Sequence, residues 1–160
     1  MLQINVLCVG KIKEKYLQEG IKEYLKRLSS YVKLTITEIS DEPCPENLST
    51  AEINQVKGKE GDRLLKQLGP QDYMILLDLK GKSLSSPGLA HMLDDLTVRG
   101  KSRVAFVIGG SLGVSNEVEK QADFRWSISE LTFPHQLVRM LLLEQVYRAQ
   151  KISRNETYHK

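Results

Sequence analysis

An α/β fold, with a mainly parallel sheet and helices on both faces, is what the sequence predicts, and three observations predict it. Two runs, Tyr73–Leu79 (YMILLDL) and Arg103–Ile108 (RVAFVI), are almost continuously apolar, the mark of strands buried on both faces. Strand-like runs alternate along the chain with helical segments, the order that builds parallel units. No linker, repeat or biased stretch interrupts the 160 residues, so residues 1–160 are expected to form a single domain.

The elements follow in order. Ile4 to Val9 reads as a strand ending at Gly10. From Lys13 to Ser29, Tyr16, Leu17, Ile21, Tyr24, Leu25 and Leu28 fall on one helical stripe. Lys33 to Ser40 alternates as a strand does, and the two prolines of Asp41–Asn47 stop any ladder or helix. Ser49 and Glu52 form a capping box that opens a helix to about Leu68, which Gly58 and Gly61 weaken. Ser86 as N-cap with Pro87 at the first helical position starts a helix to Val98. Beyond the Arg103–Ile108 strand comes Gly109-Gly110-Ser111-Leu112-Gly113, then a short helix capped by Ser115. A last strand, Arg125–Ser129, leads through Glu130–Pro134 into a helix from His135 to Ile152.

Composition sets bounds on function. Hydrophobic residues make up 41% and charged residues 27%, which suits a globular chain and excludes a disordered or fibrous one. No run approaches the roughly 20 apolar residues of a membrane span. The apolar start is too short for a signal peptide and lacks a basic first segment. Cys8 and Cys44 imply no disulfide, and with three scattered histidines they make no zinc spacing. A cytoplasmic, metal-free protein is expected. The net charge of +3 is modest but segregated: Arg139 to Lys160 holds five basic residues against two acids, which is the whole excess. Lys11 to Lys33 is basic too, with seven against three. Such segregation can steer a polyanion to one face, although solvated helix faces explain the second stretch equally well.

In open α/β sheets ligands bind beyond the carboxyl ends of strands. Three such ends are candidates: Leu76-Leu77-Asp78 with Lys80-Gly81-Lys82, Ile108-Gly109-Gly110, and Ile128-Ser129 with the loop to Pro134. Glycines directly after a strand permit positive φ and close approach of a ligand to the backbone, or simply a tight turn. A dinucleotide site fits poorly, because the pattern is GGxxG and too little chain remains for a second nucleotide half. No nucleophile–base constellation is readable; His91 reads as a surface residue and His135 as one that caps or packs. That points to chemistry done with an already activated cofactor. The last helix is apolar nearly all round, so either a partner subunit or the sheet must cover it. The tail Ser153–Lys160 is basic and aromatic; arginine forks bind phosphate and aromatic rings stack on unpaired bases, whereas composition alone reads as a frayed end.

Taken in order, Val9-Gly10-Lys11, Lys59-Glu60-Gly61, Leu77-Asp78 with Gly81-Lys82, Phe106-Val107-Ile108-Gly109-Gly110, Leu131-Thr132-Phe133-Pro134-His135, Glu144-Gln145-Val146-Tyr147-Arg148-Ala149 and Tyr158-His159 resemble one bacterial family across the whole chain. It is the family of small SPOUT-class methyltransferases that modify N3 of a pseudouridine in 23S ribosomal RNA. The resemblance implies a C-terminal trefoil knot, an exception to the rule that chains are unknotted. It also implies a homodimer and S-adenosylmethionine as cofactor. By resemblance, Leu77, Gly109, Ile128, Ser129, Glu130, Leu131, Thr132 and Phe133 contact that cofactor, Glu130 through its backbone. Arg154, Tyr158 and His159 match the family's C-terminal motif and are expected to engage the substrate, beside the partner subunit's cofactor. The target base should be unpaired or flipped out, within the assembled ribosome. The residues name no general base. A ribosome- or RNA-binding module of the same fold without catalysis is the alternative.

Overall fold

The computed structural model describes residues 1–160, as five strands and five helices. The strands are β1 (Gln3–Val9), β2 (Lys33–Ile39), β3 (Tyr73–Ser83), β4 (Arg103–Ile108) and β5 (Phe124–Ser127). The helices between and after them are α1 (Lys15–Leu28), α2 (Thr50–Leu65), α3 (Ser86–Val98), α4 (Asn116–Gln121) and α5 (His135–Ser153).

Every strand pair is parallel, in the order β2-β1-β4-β3-β5. All carboxyl ends therefore leave one edge of the sheet. The alternation of side chains divides the core. Ile4, Val6, Cys8, Val104 and Phe106 face α1, α3 and α5, while Leu7, Val9, Ala105 and Val107 face the α2 and α4 side. Phe106 and Leu142 are fully buried. Burial of a side chain of this size contributes about 1.5–3 kcal/mol. Helix α5 packs against both α1 and α3, so its apolar girth is largely covered within the chain by Leu142, Leu143, Val146 and Ala149. Leu141 is only half-buried and joins neither core cluster.

The capping box of α2 forms as expected: Ser49 Oγ accepts from the Glu52 amide at 3.1 Å and Glu52 Oε1 accepts from the Ser49 amide at 3.1 Å. Gly61 has a packing reason to sit in that helix, since a Cβ there would lie 2.6 Å from Ser115 Oγ at the head of α4.

Besides shifts of a residue or two at other element ends and the stop of α2 at Leu65 rather than about Leu68, three boundaries differ from expectation. The N-cap of α3 is Ser85, not Ser86; its hydroxyl accepts from the Gly88 amide at 3.0 Å, whereas Ser86 Oγ donates to Gln145 Oε1 of α5. Either serine could cap, and the contact with α5 decides. Strand β3 runs to Ser83 because the ladder resumes past a bulge: Leu77 and Lys82 both pair with Trp126. Strand β5 spans Phe124–Ser127, which leaves Ile128 and Ser129 in the loop.

Candidate functional site

The carboxyl ends of β3, β4 and β5 enclose a cleft of about 780 Å³. Its walls are Leu77–Lys80, Ile108–Val114, and the segment from Trp126 to Val138 apart from Glu130, Gln136 and Leu137, together with Lys57 and Glu119. Of the residues expected at a cofactor, Leu77, Gly109, Ile128, Ser129, Leu131, Thr132 and Phe133 all lie on this lining, and Glu130 does not; its side chain is exposed.

The glycine loop owes its shape to two different constraints. Gly113 has φ +90°, a conformation L side chains rarely adopt, and its amide donates to the Gly110 carbonyl at 3.0 Å. Gly109 has ordinary φ; there a Cβ would lie 2.6 Å from Val114 Cγ1 and 3.2 Å from the Gly113 carbonyl. Positive φ is thus confined to the last glycine, and the first is needed because the loop folds back on it. Below the loop, Glu60 of α2 is buried and its Oε2 accepts from the Glu42 amide at 3.0 Å. A Cβ on Gly110 would lie 2.9 Å from Glu60 Oε1, so the carboxylate sits directly against this loop. Burial pushes the Glu60 carboxyl above its ordinary value, and nearby Asp41 and Glu42 add to that against Arg63.

The loop after β5 is fixed by its own serines. Ser127 Oγ donates to the Ser129 carbonyl at 3.0 Å, and Ser129 Oγ accepts from the Leu131 amide at 3.0 Å. At the rim, Arg125 pairs with Asp78, with Glu119 at 3.9 Å. Trp126 is buried at 3% exposure on the lining, and its indole Nε1 has no partner in the protein. The sequence reading passed over it; a lone Trp on a buried strand running into this cleft is the signal it carried.

His135 also departs from expectation. It makes no cap bond to α5 and lies on the cleft lining as a half-buried ring. Burial holds its imidazole below the ordinary value, aided by Arg139 and opposed by Asp41 and Glu14. His91 is exposed on α3, as expected.

Tyr158 and His159 meet at Arg148, Arg154 stacks elsewhere on Tyr31, and none of the three lies on the cleft of their own chain. They follow the far end of α5, which at 1.5 Å per residue is about 27 Å long. The tail is tied down. Tyr158 Oη donates to Glu144 Oε2 at 2.7 Å, the Arg148 guanidinium lies 4.7 Å from the Tyr158 ring centre, and Arg148 Nη1 is 3.2 Å from His159 Nδ1. Arg154 stacks on Tyr31 at 4.6 Å. Burial and the Glu144 carboxylate push the Tyr158 phenol up to about 12.

A second hollow, of about 640 Å³, lies at the opposite edge of the sheet around Gln3, Lys33 and Arg103. Its carboxylate, Asp72, whose side chain is largely covered, is already paired with Arg103 at 3.0 Å, and only the amino ends of β1, β2 and β4 open there, with no glycine loop. The chain holds no cluster of three or more His, Cys, Asp or Glu placed to hold a metal, and no helix long and apolar enough to cross a membrane.

Comparison with known proteins bears on this geometry. The family model described as "Predicted SPOUT methyltransferase" matches residues 2–159. A protein of Desulfitobacterium hafniense strain Y51 named Ribosomal RNA large subunit methyltransferase H is 62% identical over 160 residues, covering 100% of both chains. One of the same name from Carboxydothermus hydrogenoformans is 54% identical over 159 residues, covering 99% of this chain and 100% of its own. Among solved structures, a tRNA (m1G37) methyltransferase from Aquifex aeolicus superimposes with a TM-score of 0.52 at 16% identity, over 92% of this chain and 69% of that one. The TrmH/SpoU tRNA modifying enzyme of A. aeolicus gives 0.51 at 12% identity, over 95% and 77%. These structural likenesses concern the fold.

Proposed function

We propose, because this chain belongs to the SPOUT methyltransferase family, that its cleft binds S-adenosylmethionine and that the protein methylates N3 of a pseudouridine in 23S rRNA on the ribosome. The observation that carries this reading is the convergence of three strand ends on one cleft, lined by seven of the eight residues expected at the cofactor. The 62% identity to a relative named for ribosomal RNA methylation supports the substrate class.

The lining suits such a cofactor. Leu77, Ile128, Leu131 and Phe133 offer apolar faces to an adenine ring, and the backbone of the Ile128–Phe133 loop offers donors and acceptors to its edge. The unpartnered Trp126 Nε1 is a further donor at the floor. When bound, the sulfonium supplies an activated methyl group. The work left to the protein is alignment of N3 with that methyl group, which can be worth several kcal/mol of barrier. Gly109 and Gly113 let the loop fold tightly enough to frame the site.

A homodimer completes the site in this reading. Arg154, Tyr158 and His159 do not line their own cleft, Tyr158 and His159 being held against Glu144 and Arg148 of α5, and in the dimer they would face the partner's cleft. The knot implied by the family belongs to the same region, where the loop after β4 and the segment after β5 meet at the cleft.

Mass spectrometry of 23S rRNA from cells with and without the gene tests the proposal. Loss of one methyl group on one pseudouridine is expected, and an unchanged rRNA would refute the reaction. Calorimetry with S-adenosylmethionine separates the enzyme from a non-catalytic RNA-binding module, which should show no saturable uptake.

A further inference from the structure

We propose that His135 is the base that takes the N3 proton during methyl transfer, an inference that rests on the cleft reading above. The ionisable side chains on the cleft lining are Lys57, Asp78, Lys80, Glu119 and His135. Two are lysines, whose ammonium groups are donors with no acceptor to offer. Asp78 is engaged by Arg125 through two hydrogen bonds, and Glu119 lies near the same guanidinium. His135 is the one ionisable acceptor on the lining that no ion pair occupies.

Its surroundings keep it available. The ring stands at the first residue of α5, directly after Phe133 and Pro134 of the lining, and makes no cap bond. Only burial and neighbouring charge act on it; neither ring nitrogen is held by a hydrogen bond. One turn along α5, Arg139 is 2% exposed, with Nη1 at 2.5 Å from Glu38 Oε2 of β2 and Nη2 at 3.2 Å from the Gly10 carbonyl. That fixed cation discourages a second positive charge beside it. Asp41 from the β2–α2 loop and Glu14 ahead of α1 favour the charge, but burial and Arg139 prevail, so the imidazole is held uncharged at neutral pH.

N3 bonds to the methyl carbon as the carbon–sulfur bond breaks toward sulfur, cancelling the sulfonium charge. The N3 proton passes to the free imidazole nitrogen, and the resulting imidazolium returns it to water.

The test compares the intact protein with His135→Gln, His135→Ala and His159→Gln, in single-turnover methylation of ribosomes lacking the modification, from pH 5 to 9. Wild type should rise with pH to a plateau whose midpoint lies below the ordinary histidine value of 6.5. The ring resonances of His135 in the protein alone should titrate with a midpoint below that value too. His135→Gln should lose roughly 10²- to 10⁴-fold in rate and its plateau, while binding S-adenosylmethionine within a fewfold of wild type. Added imidazole should restore part of the His135→Ala rate, and His159→Gln should keep the low-pH limb. A His135→Gln rate within threefold of wild type with the limb intact would overturn the assignment, as would a limb that disappears only in His159→Gln. If wild type transfers no methyl group at all, the cleft reading itself fails and takes this inference with it.

Discussion

The phenolic hydroxyl of Tyr158 donates to Oε2 of Glu144 across 2.7 Å, so the end of the chain is fastened to the middle of α5. Arg148 bonds the same carboxylate and lies over the Tyr158 ring, making one charged and aromatic cluster. Removing Tyr158 to Lys160 should therefore leave the cleft of the same chain untouched. Cofactor affinity by calorimetry should stay near normal while rRNA methylation is lost. Persisting methylation would remove the tail from the substrate site.

Gly109→Val should abolish cofactor binding. Its Cβ would meet Val114 Cγ1 at 2.6 Å and the Gly113 carbonyl at 3.2 Å, so the loop must open before any ligand arrives. Calorimetry should show no saturable heat, with circular dichroism and oligomeric mass unchanged. Normal binding would mean that this loop does not frame the pocket.

Ser49→Ala removes one half of the capping box at a site remote from the cleft. A loss of about 1 kcal/mol is expected. Thermal unfolding should fall by about 2–4 °C for a chain of this size. Methylation at temperatures well below the transition should be unaffected.

Glu60 gives a pH signature. Its carboxyl is raised in the folded state, so the fold binds that proton more tightly than the unfolded chain does. Its contribution to stability is therefore present at low pH and is lost as pH rises through the folded value. Glu60→Gln keeps an acceptor for the Glu42 amide without the charge. Its stability relative to wild type, measured by urea unfolding, should grow from pH 4 to pH 7. A constant difference across that range would show that the buried carboxylate carries no such penalty.

The dimer can be weighed directly. Light scattering at micromolar concentration should return twice the 18.2 kDa chain mass. Leu141, which joins neither core cluster, is the residue of α5 to alter: Leu141→Arg should reduce the mass to that of one chain with its helix content kept. A monomeric wild type would refute the assembly.

Much of the architecture was legible because the signals are local. The alternation of apolar runs with capped helices marked every strand and helix, and the Ser49–Glu52 pair named the start of α2 outright. The misreadings occurred where two local choices were equivalent and a distant contact chose between them. Ser85 rather than Ser86 caps α3 because Ser86 bonds Gln145, 59 residues away. The bulge that prolongs β3 depends on pairing with Trp126, which no property of Tyr73–Leu79 announces.

By itself the sequence determined that a parallel α/β sheet forms and that three strand ends are available to a ligand, since hydrophobic period and glycine placement are properties of neighbours along the chain. Strand order, by contrast, was decided by the tertiary structure alone: it places β4 between β1 and β3, and so brings Leu77, Gly109 and Ile128 to one cleft. The tertiary structure also turned His135 from a packing residue into part of the lining, because its surroundings join two other segments to its own helix: Asp41 and Glu14 meet Arg139 only when α5 docks. And it tied the basic tail down against α5, off the lining of its own cleft, because Glu144 and Arg148 supply partners for Tyr158 and His159 that composition does not announce.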